Sequence, residues 1–399
     1  MAAAYSPRPM NILLISIDSL RIDYVPQTNA EIRSPRFDSL TRNFCFYSGL
    51  FSASTATRPV HTSLFTGLYP FEHGILGQSS KAMRQGLPHL FEQVEKSGYR
   101  VHCFSEAHDL FTGLSFAPYI KPFHPTAVSE ALRQAHRQPR FVFLHYWGAH
   151  TPYGAADQSA LGETAQLLKM GKSHIVKERY KKAVEIVLDR QIAMVLNSID
   201  AGDWNIVIFS DHGESWTAEE PYHGYTLRNS VLRIPLYYHL PGTGNPPPLR
   251  PVASLIDLYP MLLNIASVEH SYTGFATDLR HEKDPRAYKL AQIHPDPMPS
   301  DLILPHSKID PFRQTTGPQW CLFNALTKYT YDEKQLRGWG EQTFNEDPLS
   351  LTEADHVQFQ GEMKNMINSS QQETSTPDEL APTDALLLDQ RLRDLGYLE

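Results

Sequence analysis

Four residues in this chain have side chains and neighbours suited to metal-assisted ester chemistry. Residues 11–17, NILLISI, form a mostly apolar run that ends at Asp18-Ser19-Leu20-Arg21. Residues 204–209, WNIVIF, form a second run, ending at Ser210-Asp211-His212-Gly213-Glu214. Such runs are the pattern of buried parallel strands, and α/β sheets place their sites at the C-terminal ends of those strands. Thr57 opens a third segment, Thr57-Arg58-Pro59. Asp18, Thr57, Asp211 and His212 together offer three oxygens and one nitrogen. That set suits one divalent cation, Mn²⁺ or Zn²⁺, and suits Ca²⁺ less because of the imidazole.

Thr57 has the setting of a nucleophile. Pro59 presets φ and lacks an N–H, so it fits the first turn of a helix. The run Val60 to Phe65 has the length of a short helix, stopped near Gly67. Thr57 then sits at the helix N-terminus, where free N–H groups and the dipole favour an anion. A threonine hydroxyl is a weak nucleophile until a metal or base activates it.

The wider segment 51–74, FSASTATRPVHTSLFTGLYPFEHG, resembles the nucleophile segment of the sulfatase branch of the alkaline phosphatase superfamily. Thr57-Arg58-Pro59, Thr66-Gly67, Tyr69-Pro70 and His73-Gly74 match it, and SDHGE at 210–214 is similar to the family's second metal motif. In sulfatases the nucleophile is Cys or Ser, oxidised to an aldehyde; here it is Thr57. Sulfatases usually carry two adjacent acids after the first strand and often Asn after the later Asp. Here Ser19 and His212 stand in those places. One acid, one Thr, one Asp and one His resembles instead the phosphoethanolamine and glycerophosphate transferases of the same superfamily. The resemblance therefore implies phosphoryl chemistry.

Further residues follow from the same resemblance. FVFLHYWGAHTPY at 141–153 resembles the family's strand ending in His-x-Pro, which singles out His150. His223-Gly224, ahead of Leu232-Arg233-Ile234-Pro235-Leu236, resembles the family's His-Gly segment. In the transferases the matching His contacts the phosphate or stabilises the leaving group. His73 and His145 are read as structural. The family's Arg four residues after the nucleophile is His61 here, and His61 and Arg58 are the candidates for holding the substrate anion.

The 399 residues are 41% hydrophobic and 20% charged, with a formal net charge of -8. That is an ordinary globular composition. It gives no electrostatic case for nucleic acid or an anionic membrane. Three cysteines, Cys45, Cys103 and Cys321, match no zinc or redox spacing, and Cys103 reads as a buried small hydrophobe. The N-terminus MAAAYSPRPM has no charged segment followed by an apolar core, and no apolar run is long enough to span a bilayer. The expectation is a cytoplasmic protein acting on a small anionic ester, of unknown oligomeric state.

Strands are expected at 11–17, 99–104, 140–147, 204–210 and 233–239, and helices at 87–97 and 175–199, while residues 253–267 resemble the closing helix of the family's main domain. The alternation predicts an α/β fold with a large, mostly parallel sheet between helices, and the resemblance implies a small C-terminal antiparallel-sheet subdomain. The division is drawn at 1–275 and 276–399. Within the second part, 294–316 is read as a connector or a lid over the site; it contains His294, Asp296, Asp301, His306 and Asp310. Strand-like pieces follow at Gln319 to Tyr331 and Leu336 to Phe344, then a polar loop, then a terminal helix with Leu388, Leu392 and Leu395 on one face and Gly396 at its end.

The expected activity is metal-dependent hydrolysis of a phosphate mono- or diester through a phosphothreonine at Thr57. Asp18, Asp211 and His212 hold the cation; His150 and His223 serve the charged oxygens or the leaving group. The alternatives are sulfate ester hydrolysis without an aldehyde, a phosphoryl or phosphoethanolamine-type transferase without a membrane anchor, and a degenerate module that only binds.

Overall fold

The computed structural model describes the chain except residues 1–8, 81–82, 134–137, 155–158, 218–219, 249, 271, 273, 299–316, 333, 341–345, 347, 371–381 and 395–399. Eight strands form the main sheet: β1 Asn11–Ile17, β2 Cys45–Phe51, β3 Arg100–Ser105, β4 Ile120–Pro122, β5 Arg140–Tyr146, β6 Trp204–Ser210, β7 Arg233–His239 and β8 Ala253–Ser254. Their order is β4-β3-β5-β1-β6-β7-β2-β8. All pairings are parallel except those of β7, which runs antiparallel to β6 and to β2.

The sheet is mixed and mostly parallel because its central strands are apolar on both faces and helices cover both sides. On β1, Ile12 and Leu14 point into one core with Leu64, Phe65, Phe91 and Leu262. Leu13, Ile15 and Ile17 point into the other, with Val184, Leu188 and Ile192. The expected helix over 175–199 is one continuous rod, but its middle widens. Ser173–Ile186 is α-helical, Val187–Ile192 is a π-helical turn, and Ala193–Asn197 is α-helical again. Helix 87–97 shortens to Leu90–Lys96, because the His89 side chain accepts from Glu92 N and so sets the start. Cys103 is 1% exposed, as expected of a buried small hydrophobe.

A second sheet follows: β9 Lys289–Ile293, β10 Gln319–Phe323, β11 Thr327–Tyr331, β12 Leu336–Gly340 and β13 Pro348–Leu349. It is antiparallel throughout. Helix Glu353–Ser369 lays Phe359, Met363 and Met366 on Leu290, Leu322 and Tyr329. This sheet grips the main one close to Thr57. Gln292 N donates to Ala53 O at 3.0 Å, His294 N to Leu76 O at 2.8 Å, and Ser79 N to Asp296 Oδ2 at 3.0 Å. Asp301, His306 and Asp310 of the expected lid lie outside the described residues. In the terminal helix Pro382–Asp394, Leu388 and Leu392 pack on Ala107 and Leu110, with Trp147 alongside. Leu395 and Gly396 lie outside the described residues. Among those residues no helix is long and apolar enough to cross a membrane.

One carboxyl in this framework makes stability pH-dependent. Glu72 caps a short helical turn, accepting from Tyr69 N at 2.8 Å and from the Ser370 hydroxyl at 3.2 Å. It is 1% exposed, and burial pushes its pKa up to about 7. The folded protein therefore keeps this proton where the unfolded chain releases it. The stabilisation is whole below the ordinary Glu range and is lost as pH rises toward 7, about 3 kcal/mol in all. Glu72→Gln should flatten the fall in thermal midpoint between about pH 5 and about pH 8. Equal falls in both proteins would assign the pH dependence elsewhere.

Candidate active site

The site is built where β1 and β6 end side by side. Asp18 follows β1, and its backbone N donates to Tyr146 O of β5 at 2.9 Å. Asp211 follows β6. Its Oδ1 accepts from Ser19 N at 3.1 Å and from His212 N at 2.7 Å, which turns Oδ2 inward. Gly213 lets this turn close against Ser230; a Cβ there would lie 2.1 Å from Ser230 O. His212 Nδ1 donates to Gly213 O at 2.9 Å, so its Nε2 is left as a bare acceptor.

The helix Thr57–Thr66 brings the hydroxyl. Its N-cap, Ala56, has no side-chain acceptor, and every residue of the helix is buried. Gly67 ends it with φ 73°, tight against Tyr259. Thr57 Oγ1 donates to Asp18 Oδ2 at 3.1 Å. Asp18, Thr57, Asp211 and His212 thus converge, and all four are fully buried.

His150 and His223 join them on the other side. The His212 and His223 rings stack with centroids 4.5 Å apart. His150 Nδ1 donates to Thr151 O at 2.6 Å, so its Nε2 is an acceptor; His223 Nε2 lies 3.2 Å from it. His223 Nδ1 faces Glu214 Oε2 at 3.2 Å. Burial opposes a charge on His223, but the Glu214 carboxylate overrides it and the pKa is raised. His150 goes the other way, pushed by burial down to about 3. Of the two, His223 is therefore the one that more readily carries a proton, and it faces a neutral His150.

Two of the expected residues have other work. Arg58, a candidate for holding the substrate anion, spends both terminal nitrogens on the protein, and its Nε is buried with no hydrogen-bond partner. Its guanidinium donates to Leu110 O, to Thr112 O at 3.0 Å and to Ser80 O at 2.9 Å, bracing two loops. His61 is likewise committed. Its Nδ1 donates to Thr57 O at 2.9 Å, and its Nε2 accepts from Ser16 Oγ at 3.0 Å. Neither ring nitrogen is left for a substrate oxygen. His73 is structural as expected, bonded to Ser63 Oγ at 2.9 Å. His145, expected to be structural, lies in the site: its Nε2 is 3.4 Å from Asp18 Oδ2.

Three side chains at the site went unassigned in the sequence reading. Glu214 stands inside the SDHGE motif, and its spacing from His212 could have suggested it. Gln78 accepts from Arg58 N at 3.0 Å through Oε1, while its Nε2 is buried without a partner. Nothing local in the sequence marks Gln78. Tyr153 donates to Glu214 Oε2 at 3.3 Å and accepts from Trp216 Nε1 at 2.7 Å. Three residues with side chains here hold a left-handed backbone: Ser19 (φ 57°), Tyr153 (φ 61°) and Tyr222 (φ 65°). Each adjoins or contacts a site residue, where such strain commonly collects.

The donor set fits a divalent cation. Asp18, Asp211 and His212 offer ligand atoms that all lie within 4.8 Å of one another. Asp211 Oδ2, His212 Nε2 and His145 Nε2 are buried with no hydrogen-bond partner, a costly arrangement without an ion to face. The two carboxyls also cannot both ionise comfortably alone. Burial pushes both up; neighbouring histidines return Asp18 well below the usual range, while burial and the Asp18 charge drive Asp211 well above it.

Comparison with known proteins bears on the family and the fold. The family model described as Sulfatase matches residues 10–268, well over half the chain. The chain belongs to the sulfatase family. With that family, whose enzymes use a divalent metal, it falls in the alkaline phosphatase-like superfamily. No curated protein matches the sequence. Solved structures match its fold closely at low identity. The phosphonate monoester hydrolase of Agrobacterium radiobacter superposes with a TM-score of 0.64 at 15% identity, covering 94% of this chain and 100% of that one. That of Silicibacter pomeroyi gives 0.63 at 16% identity, covering 90% and 94%. A 2-O GAG sulfatase gives 0.68 at 15%, covering 95% and 96%.

Proposed function

We propose that this sulfatase-family chain hydrolyses phosphate or phosphonate esters through a covalent phosphothreonine at Thr57. The observation that supports it best is the Thr57 hydroxyl itself. It sits on the first residue of a helix, 3.1 Å from Asp18 Oδ2, beside three buried atoms with no partner. A cation held by Asp18, Asp211, His212 and Thr57 would supply Lewis-acid polarisation of the ester and would lower the hydroxyl's pKa.

The chain's own groups then divide the work. Thr57 gives its proton to Asp18 Oδ2 as Oγ1 attacks phosphorus in line. The Oγ–P bond forms and the bond to the leaving oxygen breaks. His223, protonated and held by Glu214, supplies the proton that the leaving alcohol needs. His150 fixes the tautomer of that pair through its bond to Thr151 O. The buried Gln78 amide, its Nε2 without a partner, offers a donor to the nonbridging oxygens. In the second half, water gives a proton to the now neutral His223 and attacks phosphorus. The Oγ–P bond breaks and Thr57 recovers its proton. The sum is ester plus water to acid plus alcohol.

Sulfate chemistry suits Thr57 poorly. A sulfatase aldehyde hydrate releases sulfate by using its second hydroxyl; a threonine sulfate has none, so water must attack sulfur directly. A panel of aryl phosphate, phosphodiester, phosphonate ester and aryl sulfate tests the reading. The expected result is kcat/KM for the best phosphorus ester at least about tenfold above the sulfate. A sulfate that leads by a wide margin would overturn it.

A further inference from the structure

We propose that His145 is a ligand of the same cation, which makes this a site with two imidazoles. The proposal rests on the metal reading above and adds a residue to it. His145 lies on β5 opposite Ser16 of β1 in register, which brings its ring beside Asp18. The ring is fully buried, and Nε2 has no hydrogen-bond partner. Nε2 is 3.4 Å from Asp18 Oδ2, and a ring nitrogen of His145 lies within 4.8 Å of a carboxylate oxygen of Asp211. Asp211 Oδ2, also partnerless, is 3.5 Å from His212 Nε2.

Taken pair by pair these spacings suit atoms around an ion, and Asp211 is common to the group that holds His145 and to the group of Asp18 and His212. The two groups do not all lie within 4.8 Å of one another, so the ion would draw the two imidazoles together. Two donors each about 2.0–2.2 Å from a cation stand roughly 3–4 Å apart. Thr57 to Asp18 at 3.1 Å, His145 to Asp18 at 3.4 Å and His212 to Asp211 at 3.5 Å all fall in that range. The far side of the ring is arranged as ligating imidazoles usually are. Nδ1 lies 2.8 Å from Ser105 Oγ, which accepts Ala107 N–H at 3.0 Å and has a second lone pair for Nδ1–H. Nε2 is then a bare lone pair facing a carboxylate, a repulsive contact until a cation stands between them. The reverse tautomer would place Nε2–H at 3.4 Å from Asp18 Oδ2, long for a charge-assisted bond. His61 shows the contrast. It too lies within 4.8 Å of Asp211, but both its nitrogens are committed to Thr57 O and Ser16 Oγ.

A second imidazole shifts preference toward Zn²⁺ and Co²⁺ and away from Mn²⁺ and Ca²⁺. X-ray absorption of zinc-loaded wild-type protein should count two imidazoles, and His145→Gln should count one. Zinc affinity, measured against a chelating dye, should fall by more than about a hundredfold in that variant, beyond the loss expected from an outer-shell change. The visible spectrum of the Co²⁺ form should change with it. His61→Gln should keep both imidazoles. One imidazole in the wild type, or an unchanged affinity and cobalt spectrum in His145→Gln, would overturn the assignment. Wild-type protein that takes up no zinc or cobalt would remove the cation itself, a different result from a loaded site with a single imidazole.

Discussion

Thr57→Ala lowers turnover of an activated aryl phosphate by at least about a hundredfold, the scale of a lost nucleophile. The substitution removes an oxygen that is 3.1 Å from Asp18 Oδ2 and a methyl that the buried helix can spare. The fold should survive, because Val60, Leu64 and Phe65 anchor that helix in the core. Thr57→Ser keeps a hydroxyl in place and should retain most of the activity. Rapid quench of the wild type followed by mass spectrometry should find the added phosphoryl group on Thr57. An alanine variant as fast as the wild type would remove Thr57 from the chemistry.

Stripping the cation with a chelator should reduce turnover by at least about a thousandfold, the equivalent of several kcal/mol of Lewis-acid stabilisation. Restoring Zn²⁺ or Mn²⁺ should recover it and raise the thermal midpoint, since the ion binds the folded chain only. Asp211→Asn should mimic the stripped protein and resist rescue at ordinary metal concentrations. Asp211 Oδ2 is the buried oxygen that faces His212 Nε2 at 3.5 Å, so the loss falls at the centre of the donor set. Full activity in metal-free protein, checked by elemental analysis, would end the metal reading.

How much of this was legible in the sequence depends on where each residue sits. β1, β5 and β6 are continuous apolar runs because both their faces are covered, and such runs are easy to read. β2, CFYSGLF, was not read, because Ser48 and Gly49 interrupt it where the pairing with β7 shifts register between Tyr47 and Leu50. β9, KLAQI, is short, and its lysine hides its burial. Asp18, Asp211 and His212 were legible because a motif at a strand end fixes their direction. The protein bonds of Arg58 and His61 were not legible because motif position says nothing of which way a side chain turns on a helix buried on all sides. His145 was set aside as a mid-strand residue. Only the register of β5 against β1 shows that its ring reaches Asp18.

The left-handed backbones at Ser19, Tyr153 and Tyr222 have an evolutionary consequence. Each such residue costs on the order of 1–3 kcal/mol, set against a net folding free energy of only about 5–15 kcal/mol. A lineage that no longer needed the reaction would gain heat tolerance by letting glycine or asparagine drift into these three positions. The same drift would loosen the turns that aim Asp18, His150 and His223. Loss of function in relatives of this chain should therefore be recorded first at residues 19, 153 and 222, before any of the ligands themselves has changed.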